Sequence, residues 1–210
     1  MKKLLFFSFL LIHLNILSQG TPKVILKDSS QLKLSSLQIK VNITGNFATT
    51  TYDMKFYNGL DRTLEGELAF PLAQGQSVSE FAMDLNGTLR EAVIVEKELA
   101  RVAYETTVRQ NIDPALLEKT VGNNYKARVY PILPRAFKRI VLTYEETLSN
   151  IDNKLLYELP LGIDEVVDNF SIDIFVFGAE KKPILKSESF KNFLFVKKGN
   201  VISASITKKI

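Results

Sequence analysis

The chain contains no cysteine and no tryptophan, and its single histidine is His13. These absences exclude a disulfide framework and a cysteine nucleophile. They also restrict acid–base and metal chemistry, because His13 lies in a segment with the character of a secretory leader. Lys2 and Lys3 are followed by the apolar run Leu4 to Leu17 and then by Ser18, Gln19 and Gly20. The run falls short of the ~20 apolar residues that span a bilayer, and His13 and Asn15 interrupt it. Residues 1–19 are therefore expected to act as a signal peptide, cut after Ser18. Export to a periplasm, a cell surface or the medium is the expected fate. No cysteine follows to carry a lipid, so a lipoprotein is not expected, and no later stretch is apolar enough for a transmembrane helix.

Without that leader the expected mature chain has no histidine. Ser-His-Asp and Cys-His machinery and ordinary zinc sites are excluded with it. Catalysis would have to come from carboxylates, lysine, tyrosine or serine. No cofactor or metal site is expected. Ca2+ would need six or more oxygen ligands, and the acids near Asp152-Asn153, Asp164-Glu165 and Asp168 do not supply them locally. Turn chemistry explains those residues more simply.

What is present is globular: 210 residues, 46% hydrophobic and 24% charged, enough for one substantial core or two modest ones. Removal of Lys2 and Lys3 leaves 25 basic against 23 acidic residues. Lysines cluster from Lys181 to Lys209, where a polyanion-binding face is one reading and the solvated faces of strands are the simpler one. That stretch has no arginine to grip a sulfate or phosphate in bidentate fashion, and no nucleic-acid partner is expected.

Alternation dominates from Thr21 onward. Leu37, Ile39, Val41 and Ile43 share one face of a strand, and Phe47 to Phe56 form another that ends at an Asn58-Gly59 turn. Further strands are expected around Glu67 to Leu72, from Val78 to Leu85, from Tyr125 to Pro131 and through Ile140, Leu142 and Tyr144. One segment breaks the period. Leu99, Val102, Ala103 and Thr106 have helical spacing, which predicts a packed helix over 96–109 that stops before Asp113-Pro114. Its acids Glu96, Glu98 and Glu105, with Asp113 and Glu118, are the candidates for a glycosidase carboxylate pair, although the helix pattern turns the first three to solvent. The polar stretch near Ser149 to Lys154 marks a boundary between a region at 23–150 and a partial second β region at 154–210, which either completes the first region's sheets or begins a longer C-terminal part.

The segment "EKELARVAYETTVRQNIDPALLEKTVGNNYKARVYPILP", followed by "FKRIVLTYEETL", resembles the signature of the VIT domain, the vault protein and inter-alpha-trypsin module. The matching residues are Ala100 and Tyr104, then Asp113, Pro114, Leu116, Leu117 and Glu118, then Tyr125, Pro131 and Pro134, and finally Tyr144. The resemblance implies a mainly β, sandwich-like antiparallel domain with one packed helix, commonly exported, with no catalysis. In physical terms these residues are expected to shape the fold. Pro114 stops the helix, Leu116 and Leu117 seat a loop in the core, Gly122 to Asn124 turn the chain, and Pro131 and Pro134 end a strand at an edge. The von Willebrand A domain that often follows in this family, with its Asp-x-Ser-x-Ser metal site, has no counterpart here. The family's terminal Asp-Pro chemistry is not transferable to the internal Asp113-Pro114. The function expected is a structural or protein-interaction module at the cell envelope, whose partner is another protein or later domains of the same polypeptide. The alternatives are a carboxylate-dependent glycan hydrolase and a module that binds polyanionic glycans.

Overall fold

The computed structural model describes residues 22–85, 87–96, 116–120, 122–151, 154–159, 161, 166–185, 190 and 193–209. These residues are mainly strand. In chain order the strands are β1 (Lys23–Leu26), β2 (Lys33–Thr44), β3 (Phe47–Tyr57), β4 (Leu64–Pro71), β5 (Gln76–Leu85), β6 (Thr88–Glu91), β7 (Val93–Glu96) and β8 (Leu116–Thr120). They continue with β9 (Asn124–Ile132), β10 (Phe137–Thr147), β11 (Ser149–Ile151), β12 (Lys154–Leu156), β13 (Asn169–Phe177), β14 (Val196–Lys198) and β15 (Val201–Lys208).

A five-stranded sheet in the order β1-β4-β9-β8-β7 faces an eight-stranded sheet in the order β14-β15-β13-β2-β3-β10-β5-β6, and β11 and β12 form a separate hairpin. Period-two alternation dictates which side chains meet between the sheets. From the large sheet come Leu37, Ile39, Met54, Phe56, Ile140 and Leu142; from the small one come Leu68, Phe70, Leu117, Tyr125 and Val129, all in one core. Tyr52 and Phe70 cross the gap edge to face at 5.4 Å. Gly66 is required where β1 and β4 approach: a Cβ there would stand 2.8 Å from Val24 Cγ1 and 2.9 Å from the Ile25 carbonyl oxygen.

Among the described residues, pairing is antiparallel except at two places. β7 runs parallel to β8, and β13 runs parallel to β2 from Asn169 opposite Ser36 to Phe177 opposite Thr44. The strands beyond Lys154 are thus hydrogen-bonded into the same large sheet as the strands before Asn150. Phe170, Ile172, Ile174 and Val176 carry the shared core across that junction.

Several expectations change. Residues 97–115, which hold nearly all of the expected helix and Asp113-Pro114, lie outside the described residues; Glu96 is the last residue of strand β7 rather than the first turn of a helix. Leu116 to Thr120 form strand β8 rather than a loop, because the segment finds backbone partners on both β7 and β9. Pro131 is the penultimate residue of β9, at an end of the strand where β4 alone lies alongside, because β8 pairs only with Asn124 to Ala127. Its missing N–H is tolerated because it falls at a bulge, between the pairs Leu64–Ile132 and Gly66–Val129, and beyond the reach of β8. The Tyr130–Pro131 peptide is cis. Pro134 stands in the turn that follows.

Candidate functional site

The signature residues within the described part serve packing. Leu117 is fully buried, with Tyr125 and Tyr144 nearly so. Glu118 sits opposite Lys126 and pairs through the backbone. Gly122 and Asn123 both take left-handed conformations, at φ 76° and 58°, which glycine and asparagine tolerate. The Asn123 side chain then donates to the carbonyls of Ala73 at 2.6 Å and Gln76 at 2.8 Å, tying the β8–β9 turn to the β4–β5 loop. Gln76 in turn accepts from the Ala73 N–H at 2.9 Å and donates to Glu146 at 3.0 Å. Burial holds the half-buried Glu146 carboxyl above its usual range, against the opposing hydrogen bond from Gln76.

Tyr144 belongs to a buried polar cluster with Thr50, Tyr52 and Tyr157. The Thr50 and Tyr157 hydroxyls are 2.8 Å apart, and burial pushes the phenols of Tyr52 and Tyr157 well above the ordinary tyrosine value. Tyr157 therefore anchors the segment after β12 to the middle of β3. The remaining signature residues Ala100, Tyr104, Asp113 and Pro114 lie outside the described residues, as do Glu98 and Glu105.

Described carboxylates near basic side chains are engaged at the surface. Asp53 accepts from Arg139, Asp61 from Arg135, and Glu65 from Arg128, with Lys27 2.8 Å away. Among the described residues no three potential metal ligands gather, and no helix is long and apolar enough to cross a membrane.

A groove of about 650 Å3 lies across the outer face of the large sheet, where β2, β3 and β10 contribute Lys33, Gln38, Lys55, Tyr57 and Phe137, and Asp168 stands just before β13. Alternation that sends Met54 and Phe56 into the core sends Lys55 and Tyr57 outward, so this wall is a direct consequence of the β3 pattern. Among the described residues its one carboxylate, Asp168, is bound by Lys33 at 2.7 Å and faces Lys209 at 3.5 Å; the Lys33 hydrogen bond holds its pKa below the usual value. At one end the rings of Tyr57 and Phe137 meet at 5.0 Å, tilted by 45°. No run of neighbouring residues could reveal this site, because its walls come from positions as distant as Lys33 and Thr207.

Below that end sits Asn58, at the expected turn and wholly buried. Its amide group donates to the carbonyls of Arg62 at 2.9 Å, Ile132 at 3.1 Å and Leu133 at 2.9 Å, and its oxygen accepts from the Leu60 N–H at 2.9 Å. The β3–β4 and β9–β10 loops are thereby locked together, and each presents a half-exposed leucine, Leu60 and Leu133.

The profile of the vault protein inter-alpha-trypsin domain matches residues 34–144. The chain belongs to the VIT family. Its relatives include the inter-alpha-trypsin inhibitor heavy chain H3 of Rattus norvegicus, 25% identical over 162 residues, which cover 75% of this chain and 18% of the relative. Heavy chain 4 of Mus musculus is 23% identical over 184 residues, covering 86% of this chain and 19% of the relative. This VIT chain thus spans under a fifth of the length of the curated relatives it matches. Among solved structures, an M1 zinc metallopeptidase from Deinococcus radiodurans overlaps 85% of the chain at 10% identity and TM-score 0.47. A nutrient-binding protein described as such from Legionella pneumophila overlaps 91% at 12% identity and TM-score 0.47.

Proposed function

We propose that this VIT chain is an exported, non-catalytic interaction module, which binds another protein or later domains of its own polypeptide at the cell envelope. The observation that carries the reading is the division of labour on β3. Tyr52, Met54 and Phe56 build the core with the signature residues Leu117, Tyr125 and Tyr144. The alternate residues Lys55 and Tyr57 line a groove that, among the described residues, holds no carboxylate pair. A glycosidase needs two carboxyl groups roughly 5 to 9.5 Å apart across the scissile bond, whereas the groove's carboxylate is already ion-paired. The Lys-rich stretch gives less support to polyanion binding than its composition suggests. Lys197 donates to the carbonyls of Ala179 and Glu180, and Lys208 lies 4.3 Å from the Phe190 ring centroid.

The test uses a photo-crosslinking amino acid placed singly at Gln38, at Ile25 on the small sheet and at Leu89 on β6, in cells that make the full polypeptide. A discrete protein adduct from at least one face is expected, on a mature chain that begins near Gln19 and lies outside the cytoplasm. Absence of adducts from every face, together with glycan turnover by the purified protein, would overturn the reading. So would recovery of the chain in the cytoplasm with Met1 still attached.

A further inference from the structure

We propose that the outer-face groove is a docking site for an extended acidic peptide, which places a carboxylate on Lys55 and, two residues along, an apolar side chain against the touching, tilted rings of Tyr57 and Phe137. This rests on the interaction-module reading and adds to it the place and the chemistry of the ligand.

Charge supplies the first argument. Lys55 stands directly opposite Arg139 on β10 and Ser36 on β2, and like charges opposed across strands repel. Arg139 is compensated by Asp53 through two hydrogen bonds, at 2.9 and 2.6 Å. Asp168 is compensated by Lys33 and Lys209. The carboxylates nearest the groove floor are therefore engaged, and among the described residues Lys55 has no ion-pair partner. A ligand carboxylate is what completes this surface.

Shape supplies the second. Phe137, the first residue of β10, is 58% exposed, a large apolar area to leave in water. It leans on Tyr57 at a tilt of 45°, so the two rings form a notch and not a flat shelf. A sugar ring stacks on a flat aromatic face, whereas an aliphatic or aromatic side chain fills a notch. The loops that carry Leu60 and Leu133 adjoin this end, held by the Asn58 hydrogen bonds and by the Arg135 N–H donating to the Leu60 carbonyl at 3.2 Å. Preorganised apolar surface of this kind lowers the ordering cost of binding.

Spacing supplies the third. Lys55 and Tyr57 point to the same side of β3 and are ~7 Å apart along it, twice the rise per residue of a strand. An extended peptide repeats its side chains on one face at the same interval. An acid and an apolar residue in the pattern acid-x-apolar therefore reach both anchors together. Gln38, Ser171 and Thr207 on the opposite wall offer amide and hydroxyl groups to the peptide backbone, which suits a ligand whose own polar groups must stay satisfied.

The test is an array of immobilised heptapeptides with Glu-Thr-Phe or Asp-Thr-Leu at the centre. Control peptides have the acid replaced by Lys or the apolar residue by Ser, and a heparin oligosaccharide is included as a polyanion without apolar groups. The full chain should retain the acid-x-apolar peptides at least tenfold over either control and over the oligosaccharide, with binding that weakens as salt rises. Lys55→Glu should abolish that preference and transfer it to the Lys-x-apolar peptides, a gain that misfolding cannot produce; Phe137→Ser should reduce retention at least fivefold. Equal retention of acidic and Lys peptides, retention of heparin alone, or unchanged binding by Lys55→Glu would each overturn the groove assignment. The interaction-module reading would survive such a result if adducts form from Ile25 or Leu89, and would fall with it only if no face crosslinks.

Discussion

Asn58 and Leu133 lie 75 positions apart in the chain and are joined by a 2.9 Å hydrogen bond from the Asn58 amide to the Leu133 carbonyl, at the point where the two loops beside the groove meet. Because Asn58 is fully buried and also serves Arg62, Ile132 and Leu60, removal of its amide leaves several backbone groups without that partner, the buried Ile132 carbonyl among them. Asn58→Leu should therefore destabilise the chain by about 3 kcal/mol, since each orphaned buried group costs ~1–3 kcal/mol and part of that is regained by relaxation. Asn58→Asp should be at least as damaging, because a carboxylate cannot donate to three carbonyls. Urea unfolding of both variants measures this; an unchanged midpoint would contradict it.

Glu146 yields a prediction with a definite sign. Its folded-state pKa is raised, with burial the leading cause, so the folded chain binds that proton more tightly than the unfolded chain. This term favours the folded state below the unfolded carboxylate value, about 4.3, and is lost as pH rises through the folded value. Glu146→Gln keeps an oxygen for the Gln76 amide and removes the charge. The variant should melt above the parent at pH 7, with the gap closing toward pH 4. Thermal melts of both proteins across that range read it directly. A variant that melts below the parent at pH 7 would show that the charge contributes more than it costs.

The parallel pairing of β13 with β2 predicts what truncation does. A chain that stops at Asn150 loses Phe170, Ile172, Ile174 and Val176 from the core, along with the Tyr157 bond to Thr50. At ~1.5–3 kcal/mol for each buried side chain, the four account for roughly 6–12 kcal/mol, comparable to the whole stability of a domain, ~5–15 kcal/mol. It also bares the edge of β2, a template for unwanted pairing. The shortened chain should lack a cooperative urea transition and sediment as aggregates. A monomer with the full chain's midpoint would contradict the shared sheet.

Much of this architecture was legible in residue patterns. Leu37, Ile39 and Val41 alternate because one face of β2 is buried, and Ile140, Leu142 and Tyr144 do so for the same reason in β10. Leu117, which the VIT signature was expected to seat in the core, is buried there. Pairing direction was not legible, since alternation along Phe170 to Val176 states which side faces the core and is silent about which strand lies alongside. Leu116 to Thr120 is too short and too mixed to declare itself a strand; β7 and β9 make it one. Asn58 was legible as a turn residue from Asn-Gly, but its burial as a donor between two loops depends on tertiary partners that lie as far away as Leu133. The groove was invisible for a simpler reason: Lys33, Lys55, Phe137 and Asp168 are brought together only by the order of strands in the sheet.

Thermal unfolding of Leu117→Ala beside Phe137→Ser tests most directly whether the VIT signature builds the core while the outer sheet face stays outside it. Leu117 is fully buried, and loss of a core leucine side chain costs ~2–5 kcal/mol. At about 2–4 °C per kcal/mol for a chain of this size, its midpoint should fall by roughly 5–15 °C. Phe137→Ser, on the surface, should stay within about 2 °C of the parent. A Leu117→Ala protein that melts with the parent, or a Phe137→Ser protein that collapses, would contradict the account.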